Sequence, residues 1–182
     1  MSKDIVKCIG NNLASSFLKI ARGERTEYVM DSLSMLGRKF GFKSMSTGIS
    51  TKAEEVGLKK IEWLYDLHWY DEKEPTCYSQ TSLPLVVECE WDYKRKGDRD
   101  NDNYSAIKWD FQKLLVANAD LRALIFKARS SGSAEEENAK LDKYFDDTIK
   151  GYKNLADGSH FLFIAFNNLG FRYINKSNAL IL

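Results

Sequence analysis

Glu88 and Glu90 stand two apart in an otherwise apolar run, Leu83–Trp91 (LPLVVECEW). Such a run predicts a strand buried on both faces, and residues two apart in a strand point the same way. Paired carboxylates in that setting repel each other and lose hydration unless a cation, a proton or a basic partner offsets the cost. A positive group is therefore expected beside them. A third acid comes from Ile61–Tyr70 (IEWLYDLHWY), where Ile61, Trp63, Tyr65, Leu67 and Trp69 alternate with Glu62, Leu64, Asp66, His68 and Tyr70. This period of two predicts a second strand, with Asp66 and His68 on the face opposite the aromatic row. If the two strands are neighbours, Asp66 meets Glu88; the plain alternative is that Asp66 and His68 line a solvated sheet face.

The rest of the chain must hold those strands. Its 182 residues are 43% hydrophobic and 29% charged, which predicts one globular domain, 1–182, large enough to bury a core without disulfides. Lys plus Arg number 27 against 26 Asp plus Glu, a net charge of +1. That balance gives no global signature for nucleic acid or an anionic membrane, so any phosphate-binding surface must be local. Three cysteines, Cys8, Cys77 and Cys89, without CxxC spacing argue against a disulfide framework or a structural zinc site and favour a cytoplasmic setting. The start of the chain lacks a signal-like pattern, and no run approaches the roughly 18 apolar residues that span a bilayer. No internal repeat or glycine-rich phosphate loop is present.

Apolar steps of three and four predict a first helix over Asp4–Ile20, and a second through Val29, Leu33, Leu36 and Phe40 that ends at Gly41. Glu24 and Glu27 fall in the first turn of the second helix. There they favour the helix dipole, or Glu27 reaches the acidic cluster from the side. Phe42–Lys52 reads as a weak strand or loop. Asp92–Asn103 (DYKRKGDRDNDN) reads as an exposed loop whose Lys94, Arg95, Lys96 and Arg99 either grip phosphates or are simply solvated. A helix over Ser105–Asn118 follows, with Lys108 and Gln112 projecting together and Lys113 projecting with Trp109. Leu121–Lys127 then reads as a buried strand parallel to the Glu88 strand. After a flexible break at Ser130–Ser133 come a charged helix, Ala134–Ala156, and a hairpin of Phe161–Phe166 with Phe171–Ile174. The first helix and this hairpin are surfaces a homodimer could use. The four tryptophans, Trp63, Trp69, Trp91 and Trp109, either fill the core or stack on bases.

The order helix, weak strand, Asp strand, Glu-x-Glu strand, helix, strand resembles the core of the restriction-endonuclease-like, or PD-(D/E)XK, nuclease superfamily over about Glu24–Lys127. The resemblance implies an α/β fold, a central mixed sheet flanked by helices with an α-β-β-β-α-β core over 24–130. An extra N-terminal helix (1–23) and a C-terminal helix plus hairpin (131–182) would flank that core. It also implies metal-dependent cleavage of nucleic acid, DNA above all, with Asp66 and Glu88 as ligands of Mg²⁺ or Mn²⁺ and Glu27 matching an acidic residue on the helix before the sheet. Glu90 stands where the family usually has Lys. Some members carry Glu there, and in others the Lys has moved to the following helix, where Lys113 or Lys108 stands. The Pro of the motif is replaced by Tyr65. The residues' own chemistry agrees: hard oxygen donors suit Mg²⁺ or Mn²⁺, Glu90 can accept a proton from a metal-bound water, and Lys113 can balance charge on the transition state. His68 could assist proton transfer or hold a phosphate. The competing reading is a binding or assembly protein of the same fold that has lost activity, its acids neutralised by Lys108, Lys113 or Arg122. An unrelated hydrolase or sugar site is disfavoured, because no nucleophile elbow or triad order accompanies the acids.

Overall fold

The two acid-bearing segments lie side by side in the middle of a mixed sheet. A computed structural model describes residues 3–14, 20–61, 63–75, 79–97, 102–130, 134–156, 158–166, 171–175 and 178–180. In chain order the elements are α1 (Lys3–Ala14), α2 (Arg25–Lys39), β1 (Lys43–Ser46), α3 (Thr51–Glu55), β2 (Lys59–Lys60), β3 (Leu67–Glu72), β4 (Gln80–Glu90), α4 (Ser105–Leu115), β5 (Leu121–Lys127), α5 (Ala134–Gly151), β6 (His160–Phe166), β7 (Phe171–Asn175) and β8 (Asn178–Leu180). Among the described residues all strands join one eight-stranded sheet in the order β2-β1-β3-β4-β5-β6-β7-β8. β1, β3 and β4 run antiparallel in turn, while β4, β5 and β6 are parallel. Each parallel step contains one helix, α4 or α5, as a parallel connection requires. Among the described residues no helix is long and apolar enough to cross a membrane.

Strand alternation sends alternate residues to two cores. Leu67, Trp69, Leu85, Val87, Ala123 and Ile125 pack under α1 and α2, whereas Val86, Leu124, Phe126, Phe161 and Phe163 pack under α4 and α5. Cys89 goes with the first set and Glu88 must therefore face the second. The first core closes around Trp69, which is fully buried, stacks near Phe42 at 5.7 Å and donates its indole N–H to the Leu33 carbonyl at 3.0 Å. Gly37 of α2 makes that approach possible, since a Cβ there would lie 2.6 Å from Trp69 Nε1 and 2.9 Å from Cδ1. Gly37→Ala should accordingly cost about 1–3 kcal/mol by overpacking. Urea unfolding measures it, with the exposed Met35→Ala as a near-neutral control.

Several boundaries differ from the sequence expectation. The Asp66 strand begins at Leu67, not Ile61, because its pairing with β1 and β4 starts there, at Ser46 and Val87. Trp63 and Leu64, which completed the alternation, lie in a connection and are 42% and 66% exposed. Within Phe42–Lys52 a genuine strand, β1, paired to β3 on one side and to the edge strand β2 on the other, is followed by α3; Ser50 caps this helix by accepting from Ala53 N–H, and its own N–H and hydroxyl are held by Asp31. β4 starts three residues earlier than expected and accommodates Pro84 at an irregularity between Trp69 and Asp71 of β3, where the ladder needs no donor. α4 and α5 end at Leu115 and Gly151, short of Asn118 and Ala156. The hairpin strands pair antiparallel as expected, and β8 adds a further strand; the connecting residues 167–170, Cys77, and residues 15–19 of the expected first helix lie outside the described residues.

Candidate active site

Asp66 sits one residue before β3, opposite Glu88, because Leu67 pairs with Val87 in an antiparallel register. Having no strand backbone beyond Leu67 to pair with, the Cys89 N–H instead donates to Asp66 Oδ2 at 2.8 Å. This hydrogen bond pins the carboxylate to the end of β4 beside Glu88. Glu88 is 1% exposed. From α4, which crosses that face, Lys113 reaches down so that Nζ donates to Glu88 Oε2 at 2.7 Å and also pairs with Asp110 at 3.0 Å. Glu88 Oε1 is buried and has no hydrogen-bond partner.

Three carboxylates, Asp66, Glu88 and Asp110, thus share one ammonium, leaving three negative charges against one if all ionise. Burial, with Asp66 and Asp110 adding repulsion and Lys113 opposing, pushes Glu88 up to about 8. Asp66 is also raised by burial, against the Cys89 hydrogen bond and with help from Asp110. Burial alone would lower Lys113, but its contacts with Glu88 and Asp110 hold it above the ordinary lysine value. The cluster is therefore short of positive charge, and a proton on Glu88 or a further cation is the physical remedy.

Two hard-oxygen residues and an unpartnered buried carboxylate oxygen fit one Mg²⁺ or Mn²⁺, because Mg²⁺ commonly keeps several waters beside one or two carboxylates. Among the described residues no three His, Cys, Asp or Glu side chains are arranged to hold an ion. A cation here would have Asp66 and Glu88 as its protein donors, with no third His, Cys, Asp or Glu placed to join them among the described residues.

Asp66, Glu88 and Lys113 come together; the other candidates lie elsewhere. Glu90 is half-buried on the same face of β4, raised by burial, and Oε1 accepts from Asp92 N–H at 2.8 Å. Lys108 turns away to Asp102 at 2.6 Å, and Gln112 donates to the Tyr144 hydroxyl at 2.8 Å. Arg122 is buried and donates through Nε and Nη2 to the Ala117 carbonyl. Glu27 is exposed in the first turn of α2, which packs on the other face of the sheet. His68, opposite Val86, is fully buried against Trp63 at 4.3 Å and Tyr70 at 5.6 Å, with neither ring nitrogen hydrogen-bonded. Burial lowers its pKa to about 4, so it is a neutral core ring. Lys94, Arg95 and Lys96 are exposed, as expected of their loop, and Arg99 lies outside the described residues.

The sequence reading missed Asp110. A polar residue on an exposed helix turn carries no signal by itself, but Asp110 and Lys113, three apart, had to share the face on which Lys113 meets β4. Comparison of the chain with family models, with curated proteins and with solved structures finds no match.

Proposed function

We propose that the chain is a restriction-endonuclease-like, metal-dependent phosphodiesterase acting on nucleic acid, DNA above all. The observation that carries this reading is the meeting of Asp66, Glu88 and the α4 residue Lys113 at one end of β4, with Lys113 Nζ 2.7 Å from Glu88. The path α2, β1, β3, β4, α4, β5, with β1, β3 and β4 antiparallel and β5 parallel to β4, supports it, because it follows the α-β-β-β-α-β order of that superfamily with α3 and β2 inserted. In this reading Lys113 takes the role of a lysine moved from the strand to the following helix.

Asp66 and Glu88 would hold a Mg²⁺ or Mn²⁺, which supplies a Lewis acid for the phosphoryl oxygen and lowers the pKa of a bound water. The chain's own groups do the rest. Lys113, anchored by Asp110, keeps an ammonium beside the phosphate and balances the charge that builds on its oxygens. Glu90, raised above the ordinary carboxylate range by burial, would be the group to accept the proton of the attacking water. The second reading, a binding or assembly protein with a neutralised acid cluster, is favoured by the same ion pair, since Lys113 already occupies one oxygen of Glu88.

The direct test is cleavage of labelled single-stranded and duplex oligonucleotides with Mg²⁺, Mn²⁺ or chelator, alongside melting with and without metal. Cutting only with metal, and a metal-dependent rise in Tm, are the expected results. Neither cutting nor a shift with any DNA form would sink the catalytic reading.

A further inference from the structure

The described surface exposes six large hydrophobic side chains, and four of them, Trp63, Leu64, Trp109 and Val116, belong to the two segments that carry Asp66 and Lys113. Val116 belongs to a cavity with Ala117, Arg122 and Tyr152, whereas the two exposed tryptophans lie near the acid cluster, one on each segment, and exposed aromatic surface beside a cluster of this kind can mark a contact site. On α4, Trp109 and Lys113 are four residues apart on one stripe, so the lysine paired to Glu88 has an exposed aromatic one turn before it. On the other segment, Trp63 lies three residues before Asp66, edge-on to Tyr65 at 6.2 Å. Tyr65 is close enough to Glu88, Lys113 and Arg122 to feel their charges. Trp63 is 42% and Trp109 53% exposed, while Trp69 is fully buried.

Beside this rim the loop that leaves β4 carries three exposed cations next to the exposed Asp92, while Asp102 and Asp110 are already paired with Lys108 and Lys113. Arg95, in the loop that leaves β4, lies with its guanidinium 3.7 Å from the Trp109 ring centroid, and its backbone N–H donates to Ser105 Oγ. Lys94 and Lys96 flank it, both exposed. A ring with a guanidinium laid on it, beside further lysines, matches the elements that bind unpaired bases and their phosphates: aromatic faces for stacking, cations for the backbone. Paired bases offer no free face to such a ring. A purely apolar protein partner would gain nothing from the three cations.

We propose that Trp109, with Arg95 against it, and Trp63 across the acid cluster form a stacking rim that selects single-stranded nucleic acid, or a frayed end, over intact duplex. The inference rests on the nuclease reading for its ligand class, and the test is made independent of cleavage. The intact protein, in chelator, is titrated with a fluorescent oligothymidylate and with a duplex of equal length. The single strand should bind about tenfold tighter or better, stacking being worth about 1–3 kcal/mol per base. Trp109→Ala, at an exposed position, should weaken single-strand binding about tenfold while Trp109→Phe largely keeps it, and Arg95→Ala should weaken it and reduce its salt dependence. Duplex binding as tight as single-strand binding, an unchanged affinity in Trp109→Ala, or concentration-dependent self-association that Trp109→Ala abolishes without any oligonucleotide binding would each overturn the assignment. Single-strand binding without metal-dependent cutting leaves the rim standing and removes the nuclease; cutting of duplex with no strand preference does the reverse.

Discussion

Glu88→Gln is expected to do two opposite things: abolish metal-dependent cleavage, by at least about a hundredfold, and raise stability in alkaline buffer. The first effect follows from losing the negative oxygen that, with Asp66, would hold the cation of the proposed site. The second follows from linkage. With Glu88 near 8 in the folded chain and its ordinary value of 4.5 when unfolded, the native state holds a proton that the unfolded state has lost, so stability falls as pH rises from about 4.5 to 8. His68 works the other way at the acid side, since its folded value of about 4 lies below the ordinary 6.5, and stability falls as pH drops through that interval. Between pH 6.5 and 8 the Glu88 slope stands apart from that of His68, and over 1.5 pH units it is worth about 2 kcal/mol. Glutamine keeps the shape and cannot ionise, and Lys113, 39% exposed, still has Asp110 and water. Urea unfolding at pH 6.5 and 8.5 should therefore show wild type losing stability across the interval and Glu88→Gln nearly flat. A slope that survives the substitution would mean that Glu88 does not carry the buried proton.

The legible part of this site was the part written in strand and helix periods. Glu88, Val86 and Cys89 alternate in β4 as two-faced burial requires, and the helix stripe of Ile107, Phe111, Leu114 and Leu115 fixed the side of α4 that turns to the sheet. What failed to show was set by contacts distant in sequence. Trp63 and Leu64 continue an apolar alternation yet have no ladder partner, so the pattern overran the strand. The short α3 depends on Asp31, nineteen residues away, to hold its Ser50 cap. Arg122 and Lys108 were as plausible as Lys113 for neutralising Glu88. The choice among them was decided by the Ala117 carbonyl just past the end of α4, which accepts from Arg122, and by Asp102, which holds Lys108. Charge alone cannot rank three cations that tertiary structure sends to three different partners.

Lys113 offers the sharper separation of the two functional readings. Lys113→Ala leaves the 1%-exposed Glu88 without its cation, and breaking a buried pair from one side typically costs about 3–5 kcal/mol. Protonation of Glu88 supplies an escape at neutral pH, so the full loss should appear only in alkali. The variant should go on losing stability above pH 8, where wild type levels off as Glu88 finishes titrating against Lys113. Replacing both partners, as Glu88→Met with Lys113→Met, removes the desolvation of two charges together and should recover most or all of the lost stability, as apolar substitutes for buried pairs often do. A neutralised scaffold predicts that this double variant folds, is at least as stable as wild type at pH 8.5, and keeps its affinity for nucleic acid within about threefold. A metal-dependent phosphodiesterase predicts the same recovery of stability with cleavage and the metal-induced rise in Tm both gone. The ion pair can then be judged by what its deletion removes beyond stability: a metal effect lost along with it assigns Glu88 and Lys113 to chemistry, and no metal effect to lose assigns them to the fold.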